Sequence, residues 1–247
     1  MAEASAEKFT TRFKTRIHLL EVAGREIQLL APFDPDALLD DPSVEQRYKA
    51  DNYMPYWPII WPSGLMLAEM ILTGRGPHNP PPNCPPLLPP GAEVLPDAQR
   101  PRCIDLGCGL GSTGIAAGLR GWHVTFTDYD PEAVEFAGHN ALRNGLPPAR
   151  VRTSHMDWRA PLEERFPWVL ASDVLYERRL HVLLLGAIKS LLADDGVAWV
   201  SDPQRTSAED FPLAAVEAGF KVTAVNLEGK NFAGGVQPGT LYVLIRV

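Results

Sequence analysis

The stretch DLGCGLGSTG, from Asp105 to Gly114, constrains this chain more than any other. A short apolar run, residues 102–106, leads into it, and an apolar helix over residues 114–120 leads out. Glycines at such a junction let the backbone turn sharply and let a ligand approach the main chain closely. Gly109, Gly111 and Gly114 also spell a literal GxGxxG. Several kinds of nucleotide-binding sheet share that spacing, so it does not decide the ligand.

From Arg102 onward, strands and helices alternate. Residues 123–128 predict a second strand, and Asp130 caps the next helix, with Pro131 at its first position and Gly145 at its end. Residues 151–154 and 168–173 predict two more strands, and residues 180–192 an apolar-faced helix. Residues 196–202 predict a fifth strand, followed by a helix to about residue 218. The alternation predicts an α/β fold, a doubly wound, mostly parallel seven-stranded sheet of the Rossmann-like kind. Residues 220–226 and 240–247 are joined by too short a loop for a crossover helix, so an antiparallel C-terminal hairpin should close the sheet. Residues 51–247 read as the domain and residues 1–50 as an irregular extension with one strand candidate, 26–30. Within the domain, Pro62 suits the first turn of a helix that Gly74 stops. Residues 75–100 are dense in proline, which excludes helix and internal strand, and read as an inserted surface loop.

Two carboxylates discriminate between ligands. Asp105 stands two residues before Gly107. A pyrophosphate gains nothing from a carboxylate there, whereas the ammonium and sulfonium of S-adenosylmethionine do. Asp128 ends the second strand, about 20 residues past the glycines, where a carboxylate can accept both ribose hydroxyls. The pair favours S-adenosylmethionine as cofactor over a dinucleotide. Gly107, Gly109 and Gly111 would form the turn against it, and Tyr129 would cover the adenine. After the third strand, Asp157 can accept from the adenine amino group and Trp158 can pack on the ring. Asp157 can equally be a loop acid that caps a turn.

Four further motifs accompany the glycine turn: PYWPIIWP (55–62), TDYDP (127–131), SDVLY (172–176) and SDPQR (201–205). Together they resemble the class I, seven-β-strand S-adenosylmethionine-dependent methyltransferases, over most of residues 50–206. More narrowly they resemble the protein-lysine methyltransferase family that includes the enzyme acting on the β subunit of electron-transfer flavoprotein. The resemblance implies that Asp173 and Tyr176 lie at the substrate entrance as the catalytic pair and that Trp61 touches the cofactor. Ser172, where the family usually carries glycine, is grouped with the cofactor residues, and Gln204 also replaces a family glycine. The implied reaction is N-methylation of a protein lysine.

Methyl transfer from a sulfonium is an in-line displacement that needs no metal; the protein aligns a lone pair with the methyl carbon and excludes water. A lysine amine, with a pKa of about 10.4, must first lose a proton. On this reading Asp173 attracts the incoming ammonium and Tyr176 walls or hydrogen-bonds the amine. A helix-capping acid and a packing aromatic are the plainer alternatives. Asp202 and Arg205 read equally as functional residues or as a structural pair, and Trp57 and Trp61 equally as lids over a core.

Composition narrows the partners. Net charge is −7 with no basic patch, which speaks against nucleic acid and is compatible with a basic protein substrate. No apolar run of about 18 residues predicts a membrane span, and the polar N-terminus lacks the apolar stretch of a secretory signal. Cys84, Cys103 and Cys108 form neither an even set nor a metal-ligand spacing, which suits a reducing, cytoplasmic compartment. A small amine as substrate, and a non-catalytic nucleoside-binding module, remain open as alternatives, as does the oligomeric state.

Overall fold

The computed structural model describes residues 11–74, 100–230 and 235–247. Its centre is a 7-stranded sheet in the order β5-β4-β3-β6-β7-β9-β8. The strands are β3 (Arg102–Leu106), β4 (His123–Asp128), β5 (Val151–His155), β6 (Phe166–Ser172), β7 (Leu192–Asp202), β8 (Phe220–Lys230) and β9 (Val236–Arg246). The first five of these run parallel. β9 runs antiparallel to both β7 and β8, so the expected closing hairpin is present, with β9 inserted between β7 and the edge strand.

Helices α1 (Pro42–Asp51), α2 (Pro62–Thr73), α3 (Ser112–Leu119), α4 (Pro131–Arg143), α5 (His181–Leu191) and α6 (Phe211–Glu217) complete the fold. The local signals act as their chemistry dictates. The Asp130 carboxylate accepts from the Glu132 amide at 3.0 Å and Pro131 opens α4. Pro62 opens α2, which ends at Gly74 in the left-handed region.

Side chains alternate across the sheet. On one face Cys103, Phe126, Trp168 and Trp199 pack with α2, α3 and α4. On the other, Ile104, Leu106, Val169 and Val200 pack with α5 and α6. Both faces of the parallel strands are therefore covered, as such strands require.

The N-terminal segment differs from the irregular extension expected. β1 (Thr15–Val22) and β2 (Arg25–Pro32) form an antiparallel hairpin that contains the single strand candidate, 26–30. Asn140 of α4 and Asn144, which caps that helix, hold β2 as a neighbouring strand would. The Asn144 side chain exchanges hydrogen bonds with the Gln28 backbone at 2.9 and 2.7 Å. Asn140 does the same with Leu30 at 2.8 and 3.0 Å, and also donates to the Leu110 carbonyl at 3.0 Å. The hairpin is thereby tied to the glycine turn. The proline-rich stretch lies outside the described residues except for Arg100. Among the described residues no helix is long and apolar enough to cross a membrane.

Candidate active site

The strand order reverses between β3 and β6, and open parallel sheets bind ligands at the carboxyl ends of strands beside such a point. An open cleft of about 1070 Å³, mouth included, lies there. Of the residues expected to touch cofactor or substrate, all but Asp105 and Gly111 line it.

Gly107 sits at φ +64°, and a Cβ there would come within 2.9 Å of Val174 Cγ1, so only glycine fits the cleft wall at this point. The Gly109 amide donates to Asp128 Oδ2 at 3.0 Å, and the Asp130 amide donates to Asp128 Oδ1 at 2.9 Å. Both oxygens of this carboxylate are thus oriented by the backbone where it meets the cleft. Burial pushes Asp128 up to about 6, against the pull of those two amides.

Asp105 does not line the cleft. It is fully buried, and its Oδ2 accepts from the Gly114 amide at 2.9 Å, which fixes the start of α3. Its Oδ1 has no hydrogen-bond partner, and burial pushes the group up to about 7, with the charge of Asp128 adding to the rise. Alternation explains the placement: Asp105 shares its face of β3 with Cys103, turned towards α3. Gly111 likewise stands behind the wall, where a Cβ would meet Ala137 at 3.1 Å.

At one arm of the cleft, Tyr129 donates its hydroxyl to Asp51 at 2.8 Å, and Tyr53 donates to Asp130. The Arg47 guanidinium stacks 3.4 Å from the Tyr53 ring centroid. Trp158 and Asp157 face this arm. The Asp157 carboxylate is occupied by Arg159, whose Nε lies 2.9 and 2.8 Å from its two oxygens and whose backbone amide donates at 2.8 Å. That partner holds Asp157 below the usual carboxylate range, and the geometry is that of an acid capping its own turn.

At the other arm, Asp173 follows β6 with φ +57°, and its backbone amide donates to the Ser201 carbonyl at 3.0 Å. Its carboxylate is buried and fully engaged. Oδ1 accepts from Arg205 Nε at 3.0 Å and also from Nη2, and Oδ2 accepts from the Ser63 hydroxyl at 2.8 Å. The Arg205 amide donates to Asp202 Oδ1 at 2.7 Å, and its guanidinium lies 5.1 Å from the Trp61 ring centroid. Arg205 therefore joins the ends of β6 and β7 to the aromatic segment before α2. Trp61 donates Nε1–H to the Tyr56 carbonyl at 3.1 Å. Ser172 Oγ accepts from the Thr113 hydroxyl at 3.0 Å, tying β6 to α3. The Tyr176 ring meets Tyr56 edge-on at 4.9 Å, and burial raises its phenol well above the usual value. Trp57, by contrast, is buried against Phe13 and Phe136.

Sequence reasoning left out Tyr56 and Ser63. Tyr56 was visible only as one aromatic in a proline-rich box. Ser63 follows a proline in the first turn of α2, where a serine carries no signal of a partner 110 residues away.

A sheet of this order with a glycine turn and a strand-end carboxylate at its switch point defines the class I methyltransferase fold. The fold is similar to that of a SAM-dependent methyltransferase from Methanosarcina mazei, with a TM-score of 0.51 and 12% identity over 62% of this chain and 95% of that one. Residues 56–217 match the model of the lysine methyltransferase family, and the chain belongs to that family. It is 28% identical to the electron transfer flavoprotein beta subunit lysine methyltransferase of Xenopus laevis, over 64% of this chain and 56% of that protein. It is 30% identical to protein N-lysine methyltransferase METTL21A of Danio rerio (55% and 64%), and 32% identical to EEF1A lysine methyltransferase 3 of Mus musculus (47% and 51%). The matched region thus spans between half and two thirds of these relatives' own length.

Proposed function

We propose that the cleft binds S-adenosylmethionine and that the protein uses it to methylate a lysine side chain of a protein substrate. The observation that carries this reading is Asp128, held at the end of β4 by two backbone amides and open to the cleft beside the glycine turn. Its remaining lone pairs would accept the ribose hydroxyls. Tyr129 and Trp158 would flank the adenine, with Asp157 at its edge, while Trp61 and Ser172 would border the methionine end. Asp105 holds its proton readily behind the turn, and the ammonium and sulfonium of that end would draw it towards its charged form. When bound, the cofactor supplies an electrophilic methyl group whose sulfur departs as a neutral thioether.

This chain's own task is alignment and exclusion of water. Asp173 is a positioning residue in this scheme, because its carboxylate is committed to Arg205 and Ser63 and fixes the segment that carries Tyr176. Tyr176 walls the amine as a neutral phenol. The relatives that carry the same motifs are named for lysine methylation of proteins, which supports a protein substrate over a small amine. The cysteine usage suits a reducing compartment such as the cytoplasm.

Incubating the protein with methyl-labelled cofactor and a cell lysate, then resolving the mixture by size, tests the reading. A labelled protein band whose label is recovered as methyl-lysine is expected. Label confined to small molecules would favour a metabolite methyltransferase, and cofactor binding without transfer would favour a non-catalytic module.

A further inference from the structure

We propose that β1 is a docking edge for an extended segment of a partner protein in which apolar and acidic residues alternate, added as a third strand to the N-terminal hairpin. β1 pairs with β2 alone, and its other edge carries no strand among the described residues. An edge of this kind offers a row of unpaired backbone donors and acceptors, the template on which peptides add as strands. The hairpin is fixed in advance for such a task, because Asn140 and Asn144 hold β2 to the body of the fold.

The two faces of β1 differ in chemistry. Ile17 and Leu19 share one face and are 45% and 63% exposed, where an edge strand left to water ordinarily carries charge. Arg16 and His18 stand on the other face and form the polar side of a groove of about 500 Å³, mouth included. Pro32, Pro35, Pro58, Ile59 and Ile60 complete the groove, and no acid lines it. Arg16 donates Nε–H to His18 Nε2 at 3.0 Å, and its guanidinium lies 5.6 Å from the Phe33 ring centroid. Among the described residues no carboxylate pairs with Arg16, which leaves the fork of its terminal nitrogens for one. A strand laid along β1 therefore meets apolar side chains on one face and a cation on the other, and cross-strand pairs of both kinds favour an occupant of alternating apolar and acidic residues. Pro58, Ile59 and Ile60 belong to the same segment as Tyr56 and Trp61, which line the active cleft, so a partner seated on β1 stands beside that cleft.

The whole chain would be titrated into a fluorescein-labelled, end-blocked octapeptide of alternating valine and glutamate, with anisotropy as the readout and the valine–glutamine peptide as the neutral control. A net charge of −7 repels the acidic peptide, so a preference for it must arise locally. The glutamate peptide should bind at least about tenfold more tightly than its control, and Arg16→Gln should reduce that preference to less than about threefold. Backbone N-methylation of at least one of the peptide's two alternate sets of residues should weaken binding at least about tenfold, because one peptide edge must pair with β1. No binding of the glutamate peptide, equal affinity for the two peptides, a preference undiminished in Arg16→Gln, or indifference to both methylation patterns would overturn the proposal. Displacement of the peptide by adenosylhomocysteine would place it in the cleft and overturn the proposal as well.

Discussion

Replacing Asp105 with asparagine should leave the stability of the ligand-free protein little changed in mild acid and raise it above neutrality. The carboxylate is fully buried, and burial lifts it from the usual 3.8 to about 7. Between those two values the folded state holds a proton that the unfolded chain has released, so stability is undiminished below the lower value and is lost as pH rises through the higher one. Each pH unit in that window is worth about 1.4 kcal/mol, so the wild type should lose about 3 kcal/mol through this group between pH 5 and pH 8. Asparagine keeps an acceptor for the Gly114 amide and does not ionise. Its amide NH2 would occupy the place of Oδ1, which has no partner, at a cost of about 1–3 kcal/mol at every pH. The wild type has lost about 1.7 kcal/mol by pH 5 and about 4 kcal/mol by pH 8, so the variant should be close to it in stability at pH 5 and more stable at pH 8, the difference moving by about 3 kcal/mol. Asp128 titrates in both proteins, so only its coupling to Asp105 enters the comparison. Urea unfolding followed by circular dichroism at the two pH values measures it. A destabilisation of the same size at both would refute the buried, proton-holding carboxylate.

Three other substitutions probe the framework. Gly107→Ala places a methyl 2.9 Å from Val174 Cγ1 at a left-handed φ; cofactor affinity by calorimetry should drop at least about tenfold with a strain cost of about 1–3 kcal/mol. Asn140→Ala removes the buried hydrogen bonds that hold Leu30 and Leu110, and should cost about 2–4 kcal/mol in urea unfolding. Arg205→Met leaves the buried Asp173 carboxylate without its cation, at about 3–5 kcal/mol, most of which the double variant with Asp173→Asn should recover; turnover on a labelled protein band should fall further than adenosylhomocysteine affinity.

The parallel sheet was legible because its signals are local. Asp130 and Pro131 announce α4, the glycines announce the β3–α3 turn, and uninterrupted apolar runs announce strands covered on both faces. The N-terminal hairpin was not legible, because its turn is made by Ala23 and Gly24, both at positive φ, with alanine where such a turn ordinarily carries asparagine, aspartate or glycine. Its docking depends on Asn140 and Asn144, which look like any polar residues of a helix. In the candidate site, the residue types were readable but their commitments were not. Asp105, Asp128 and Asp173 are all acids at or beside the ends of strands, yet one sits behind the wall, one opens to the cleft and one is locked to Arg205. Those differences arise from partners distant in the chain: Ser63 and Arg205 meet at Asp173 only because α2 and β7 converge there. Asp173 and Gln204 both adopt positive φ without being glycine, a feature that only the folded chain reveals.

The central claim is that the strand-end carboxylate of β4 grips a sulfonium nucleoside. Isothermal calorimetry with S-adenosylmethionine on the wild type and on Asp128→Ala addresses it directly. A saturable heat in the wild type that weakens at least about tenfold in the variant is predicted. No heat with this ligand, accompanied by tight binding of a nicotinamide dinucleotide, would contradict it.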